Sequence, residues 1–193
     1  LVPYALNFND LNKNTRNTIA KRRITVLESD LQRIDQLNND QKNAFDIIID
    51  AVFQKKHGSF FVDGPGGTGK TFLYRALLAE IRSKEFIALV TASCGATTSI
   101  FPGGRTAHSR FNIPLDTTKN KNCKISKQSS SVELLQRANL IIWNETPMTN
   151  KASIEAVDLQ DLIDSNALFG SKVIIFGGDI PQVLPVVTKG TKS

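Results

Sequence analysis

Apolar positions along the chain fall into two spacings. Between Asn39 and Gly58, the residues Ala44, Phe45, Ile48, Ile49, Val52 and Phe53 recur at helical intervals behind Asp40, an N-cap candidate, and Gly58 closes the segment. That stripe predicts an amphipathic helix. Four other stretches are short and nearly continuous in apolar character: Ser59–Asp63 (SFFVD), Phe86–Thr91 (FIALVT), Asn139–Asn144 (NLIIWN) and Lys172–Gly178 (KVIIFGG). Runs of this kind mark strands buried on both faces. Helical segments lie between them, notably Lys70–Lys84 and Lys151–Asp164. Strands alternating with helices predict an α/β fold with a parallel sheet, right-handed crossovers and ligands at the carboxyl ends of the strands.

The flanks differ in composition. Residues Leu1–Gln36 form a polar lead-in, with a basic cluster at Lys21, Arg22 and Arg23 and weak helical spacing through Ile24, Leu27, Leu31 and Ile34, so one helix is expected there. Residues 37–193 are expected to form one domain, interrupted by a mobile basic surface loop at Thr117–Ser131, where four lysines sit among Ser and Asn. With 193 residues and 40% hydrophobic content, the chain can bury one sizeable core. The 24 basic residues against 18 acidic ones give a net charge of +6, which suits a polyanionic partner and equally a solvated basic surface. Cys94 and Cys123 show no metal-ligand spacing, which points to reduced thiols in an intracellular protein. No apolar run approaches membrane-spanning length, so no membrane partner is expected. Leu1 is not an initiator methionine, and the chain is expected to have been cut from something longer.

The strongest chemical signal is GPGGTGKT, comprising Gly64, Pro65, Gly66, Gly67, Thr68, Gly69, Lys70 and Thr71, placed between a predicted strand and a predicted helix. It fits the phosphate-binding pattern G-x-x-x-x-G-K-[ST]. Glycines let successive N–H groups turn inward around phosphates, and the following helix offers the positive end of its dipole. Lys70 would reach the β and γ oxygens, and Thr71 would supply a hydroxyl to Mg²⁺. A P-loop NTPase binding ATP and Mg²⁺ is therefore expected.

A phosphate cradle alone does not name a function. Glu145, at the end of a predicted strand, suits the carboxylate that orients or deprotonates an attacking water. The next strand is followed by Asp179 and Gln182, and a glutamine there can sense a γ-phosphate through its amide. Asn144, just before Glu145, stands where a nucleotide-hydrolysing enzyme normally carries Asp.

Taken in order, LNNDQ, FFVDGPGGTGKTFLYRALLAEIRSK, ALVTASCGATTSIFPGGRTAHSRFNIPL, LIIWNETPM and FGGDIPQVLPVV resemble the petite-integration-frequency (PIF) DNA helicases of superfamily 1, in particular the plant and Helitron-transposon branch. The likeness covers Leu37–Lys189, and its stretch Phe86–Leu115 is specific to the family. It implies a RecA-like ATPase domain that translocates 5′ to 3′ on single-stranded DNA when complete. It also implies a monomer, a nuclear or mitochondrial location, and roles in DNA repair, recombination and telomere maintenance. Carried over residue by residue, Gln41 would read the adenine edge, Lys70, Glu145 and Gln182 would serve catalysis, Thr71, Asn144 and Glu145 would handle the metal, and Thr106 and His108 would touch the DNA backbone. Without the resemblance, Gln41 reads as a helix-start residue and His108 as an ordinary loop histidine.

Departures from the family pattern carry expectations of their own. Asn144 replaces the family's Asp and keeps an acceptor oxygen without the charge; outer-shell changes of this kind cost about 10- to 100-fold in metal affinity or activity. Slow hydrolysis with weakened magnesium dependence is expected. Thr146 and Pro181 replace the usual Ala and Arg, and residues between Asp164 and Phe169 look shortened. The family's second RecA-like domain would follow, and Ser193 ends the chain before it. Two alternatives stay open: a degenerate module that binds nucleotide and DNA without turnover, and an unrelated P-loop enzyme such as a kinase.

Overall fold

The computed structural model describes residues 26–111, 130–146 and 172–179. It begins with a short helix, α1 (Glu28–Leu31), running into a 3-10 helix (Gln32–Gln36), then α2 (Asn39–Phe53), β1 (Gly58–Asp63), α3 (Lys70–Ser83) and β2 (Ala88–Ala92). After these come α4 (Gly95–Ser99), β3 (Arg105–Thr106), α5 (Ala107–Phe111), α6 (Ser130–Arg137), β4 (Leu140–Asn144) and β5 (Val173–Gly178). The five strands form one sheet in the order β1-β5-β4-β2-β3. Every pairing is parallel. The expected α/β architecture is present, a parallel sheet flanked by helices.

Alternation along the central strands explains how a continuous apolar run serves two cores. Ala88 and Val90, Leu140 and Ile142, and Val173 and Ile175 point to one face, where they pack with Phe45, Ile48 and Val52 of α2 and Leu73, Tyr74, Leu77 and Ile81 of α3. Leu89, Ile141, Trp143 and Ile174 point to the other, against Ala107 and Phe111 of α5 and Leu134 and Leu135 of α6. Both faces are covered, so period-2 patterning vanishes from the sequence. Two buried arginines stitch the loop before β3 to the sheet. Arg82 donates to Ala88 O at 2.9 Å and Pro102 O at 2.9 Å, and Arg110 donates to Val90 O at 3.2 Å and Gly103 O at 3.3 Å. Burial pulls both guanidinium groups down to about 10.

Several boundaries differ from expectation, each for a local reason. The N-cap of α2 is Asn38 and not Asp40: Asn38 Oδ1 accepts from Gln41 N at 2.8 Å while Gln41 Oε1 accepts from Asn38 N, a reciprocal capping box. Gly58 opens β1 rather than closing the helix, which ends at Phe53. Strand β1 is not buried on both faces; its residues alternate between half-buried and exposed, and Phe61 is 46% exposed, because among the described residues β1 pairs only with β5. Ser130 and Ser131, assigned to the basic loop, begin α6. The rest of that loop, the expected helix Lys151–Asp164, and Gln182 and Pro181 lie outside the described residues. The lead-in helix is present as α1 and the 3-10 turn; both pack on α3, and the carboxylate of Asp30 is buried there.

Candidate nucleotide-binding site

The phosphate loop leaves β1 at Asp63 and enters α3 at Lys70. Gly69 caps that helix at φ 83°, a left-handed conformation that a side chain would strain, and a Cβ there would run into the Gln41 amide. Gly67 turns the loop at φ 88°. Thr68 Oγ1 donates to Pro65 O at 2.9 Å and closes the loop on itself. Lys70 Nζ donates to the carbonyls of Gly64 and Pro65. All eight residues of the motif lie between the end of β1 and the first turn of α3, because the loop is a local structure.

What the spacing cannot show is which distant residues face the loop. A cleft of about 490 Å³ brings Gly66–Thr71 together with Asn144 and Glu145 from the end of β4 and Asp179 from the end of β5. These strand ends meet because β4 and β5 are neighbours in register, with Trp143 opposite Phe176. Asn144 is 5% exposed. The hydroxyl of Thr71, the amide oxygen of Asn144 and the carboxylates of Glu145 and Asp179 are hard oxygen donors of the kind Mg²⁺ takes, usually with several waters retained.

Glu145 is held from the loop after β2. Its carboxylate accepts a 3.1 Å hydrogen bond from Thr97 Oγ1, and its main-chain oxygen accepts one of 2.8 Å from Ser93 Oγ. Its backbone sits at φ 57°, in the left-handed region. Cys94 Sγ lies 3.0 Å from the same Thr97 hydroxyl, and hydrogen bonding from Thr97 lowers the exposed thiol's pKa. Neither Ser93 nor Thr97 was singled out by sequence reading, since 52 and 48 residues separate them from Glu145.

Gln41 stands apart from this cleft. It lines an adjoining hollow of about 560 Å³ with Phe61, Asp63 and Lys70, and its Nε2 donates to Thr68 O at 3.1 Å. The amide therefore braces the phosphate loop from behind while capping α2. Thr106 in β3 lies opposite Ala92, at the same carboxyl edge of the sheet, and its hydroxyl accepts from Ser109 N at 3.3 Å. His108 follows in α5, partly exposed. Arg33, Phe72 and Arg75 also line the nucleotide cleft and were missed. Helical spacing from Thr71 could have found Arg75, whereas nothing local marks Arg33.

A glycine-rich loop between a parallel strand and a helix, facing acidic residues from neighbouring strand ends, defines a P-loop nucleotide-binding domain of RecA-like architecture. The family model described as PIF1-like helicase matches residues 36–193, and the chain belongs to that family. Among curated relatives, it is 24% identical to the ATP-dependent DNA helicase PIF4 of Trypanosoma brucei brucei over 77% of this chain and 18% of the relative. It is 27% identical to the ATP-dependent DNA helicase Pif1 of Bdellovibrio bacteriovorus over 81% of this chain and 35% of the relative. In solved structures, the Pif1 helicase from Bacteroides in complex with ADP-AlF3 and ssDNA superposes with a TM-score of 0.64 at 28% identity, covering 79% of this chain and 34% of that one. The Candida albicans Pif1 helicase gives 0.64 at 27% identity, with 78% and 34% covered. The chain thus spans well under half the length of the relatives it matches.

Proposed function

We propose that these residues form the first motor domain of an ATP-dependent DNA helicase, which binds Mg-ATP, hydrolyses it slowly and uses the cycle to move 5′ to 3′ on single-stranded DNA. The observation that carries this reading is the single cleft in which the Lys70 loop faces Glu145 and Asp179. Within it, loop amides and Lys70 hold the β- and γ-phosphates, and Glu145 orients the attacking water. Bound Mg²⁺, next to Thr71 and Asn144, would neutralise phosphate charge. Gln41 keeps a second amide N–H beyond the one it gives to Thr68 O, so its role would be to read adenine while still bracing the loop. Gln182 would sense the γ-phosphate, and Thr106 and His108 would meet the DNA backbone at the carboxyl edge of the sheet. The relatives named above are helicases, and one of them was solved with ADP-AlF3 and ssDNA, which supports both ligands.

Asn144 favours a second reading. An uncharged amide at the position of an expected carboxylate, nearly inaccessible at the floor of the cleft, suits a module that binds ATP and DNA without turnover. Calorimetry with Mg-ATP and hydrolysis assays with and without single-stranded DNA separate the two. DNA-stimulated release of phosphate supports the motor; saturable ATP binding with no release supports the module. Wild-type protein that binds no ATP, or binds as well after Lys70→Ala, would remove both.

A further inference from the structure

Arg33 lies three residues ahead of the segment matched by the family model, yet it lines the same cleft as the phosphate loop. Its guanidinium carbon stands 4.7 Å from the centroid of the Phe72 ring. Its Nε donates to Asp30 Oδ1 at 2.9 Å. Asp30 also pairs with Arg75 at 2.9 Å, so one buried carboxylate serves two arginines and leaves one positive charge in excess at the cleft wall. The Arg33 side chain remains 26% exposed. An arginine fixed on a ring at one face and on a carboxylate at its Nε edge has lost most of its rotamer freedom before any ligand arrives.

The polarity of the cleft says what this wall would meet. Glu145 and Asp179 come from the strand ends and mark the side of the γ-phosphate, with Lys70 and Thr71 next. Phe72 follows Thr71 in α3, so the wall it forms with Arg33 is built from helices whereas Glu145 and Asp179 come from strand ends, and a base and ribose extending from the loop away from those carboxylates would meet the helical wall. A planar guanidinium stacks on aromatic faces, and a nucleobase is such a face.

Resting on the reading that the loop binds a nucleotide, we propose that Arg33 is a nucleotide-binding residue that stacks on the base. The lead-in helix, outside the family match, would then be part of the nucleotide site and not merely a linker.

Calorimetric titration of the wild type, R33A and R33K with Mg-ATP, Mg-ADP and Mg-tripolyphosphate tests this. The expected result is that R33A weakens ATP and ADP alike by about tenfold while tripolyphosphate, which has no base, changes by less than about twofold. R33K keeps the charge and the stem but not the plane, and should follow R33A. Unchanged ATP affinity in either variant overturns the proposal. So does an equal loss for all three ligands, the signature of a purely structural or charge role. If R33A fails to fold, as judged by its ligand-free thermal transition, R33K carries the test alone. A wild type that binds none of the three ligands defeats the phosphate-loop reading itself, and is thereby distinguished from failure at Arg33.

Discussion

Thr97 donates a 3.1 Å hydrogen bond to the carboxylate of Glu145 across the gap between two strand ends. With Ser93 holding the main-chain oxygen, it fixes a residue whose left-handed φ of 57° costs roughly 1–3 kcal/mol when unsupported. Thr97→Val keeps the shape and removes the donor. Single-turnover hydrolysis of ATP should fall by about tenfold, the typical worth of a hydrogen bond to a charged group, with ATP affinity unchanged and Thr97→Ser restoring the rate. Equal rates for Val and Thr would show that the hydroxyl does not position Glu145.

The same hydroxyl touches Cys94, and it has a single proton to give. While it donates to Glu145 it can only accept from the thiol; a Cys94 thiolate competes for that proton. The hydrogen bond from Thr97 lowers the thiol's pKa, and since the thiolate is the reactive form, alkylation should set in at lower pH than for an ordinary cysteine. Thr97→Val should shift the pH midpoint of Cys94 alkylation upward, measured by peptide mass spectrometry. A midpoint that stays put, or moves down, would contradict the assignment.

Asn144 supplies an oxygen but no charge beside Thr71 and Glu145. Asn144→Asp should raise turnover by about tenfold or more and lower the magnesium concentration needed for half-maximal activity. An unchanged rate and unchanged magnesium dependence would place the limiting defect elsewhere.

Helix α3 is seated on the sheet by a close approach at Gly177, where any Cβ would collide with the buried hydroxyl of Tyr74. Gly177→Ala should destabilise the fold by about 1–3 kcal/mol, read as a lower urea midpoint with an unchanged slope. Tyr74 Oη has no hydrogen-bond partner among the described residues, so Tyr74→Phe should cost little and should recover part of the loss in the double variant. An additive double variant would indicate that the two positions do not meet.

Legibility followed the range of the interaction. The glycine-rich loop was readable as a turn between strand and helix, because glycines at 67 and 69 and the lysine that follows act within one turn of chain. Central strands were readable as apolar runs, and their ends shifted by one or two residues. Strand β1, at the edge of the sheet among the described residues, is half-exposed and not buried on both faces as its apolar run predicts, since SFFVD looks the same whether or not both of its faces are covered. The N-cap was misplaced by two residues because Asp40 and Asn38 are both competent caps, and the return bond from Gln41 decides between them.

From the sequence alone came the parallel α/β class, the glycine-rich loop between strand and helix and the acidic residue at the end of β4, because each is written in local spacing or in the burial pattern of one segment. Tertiary structure decided which side chains share the loop's cleft. Asp179 reaches it through strand order and Arg33 through the packing of the lead-in on α3, while the neighbouring of β2 and β4 brings Thr97 and Ser93 onto Glu145. Those contacts join residues tens of positions apart, and only the burial of two apolar faces on one sheet fixes such distances.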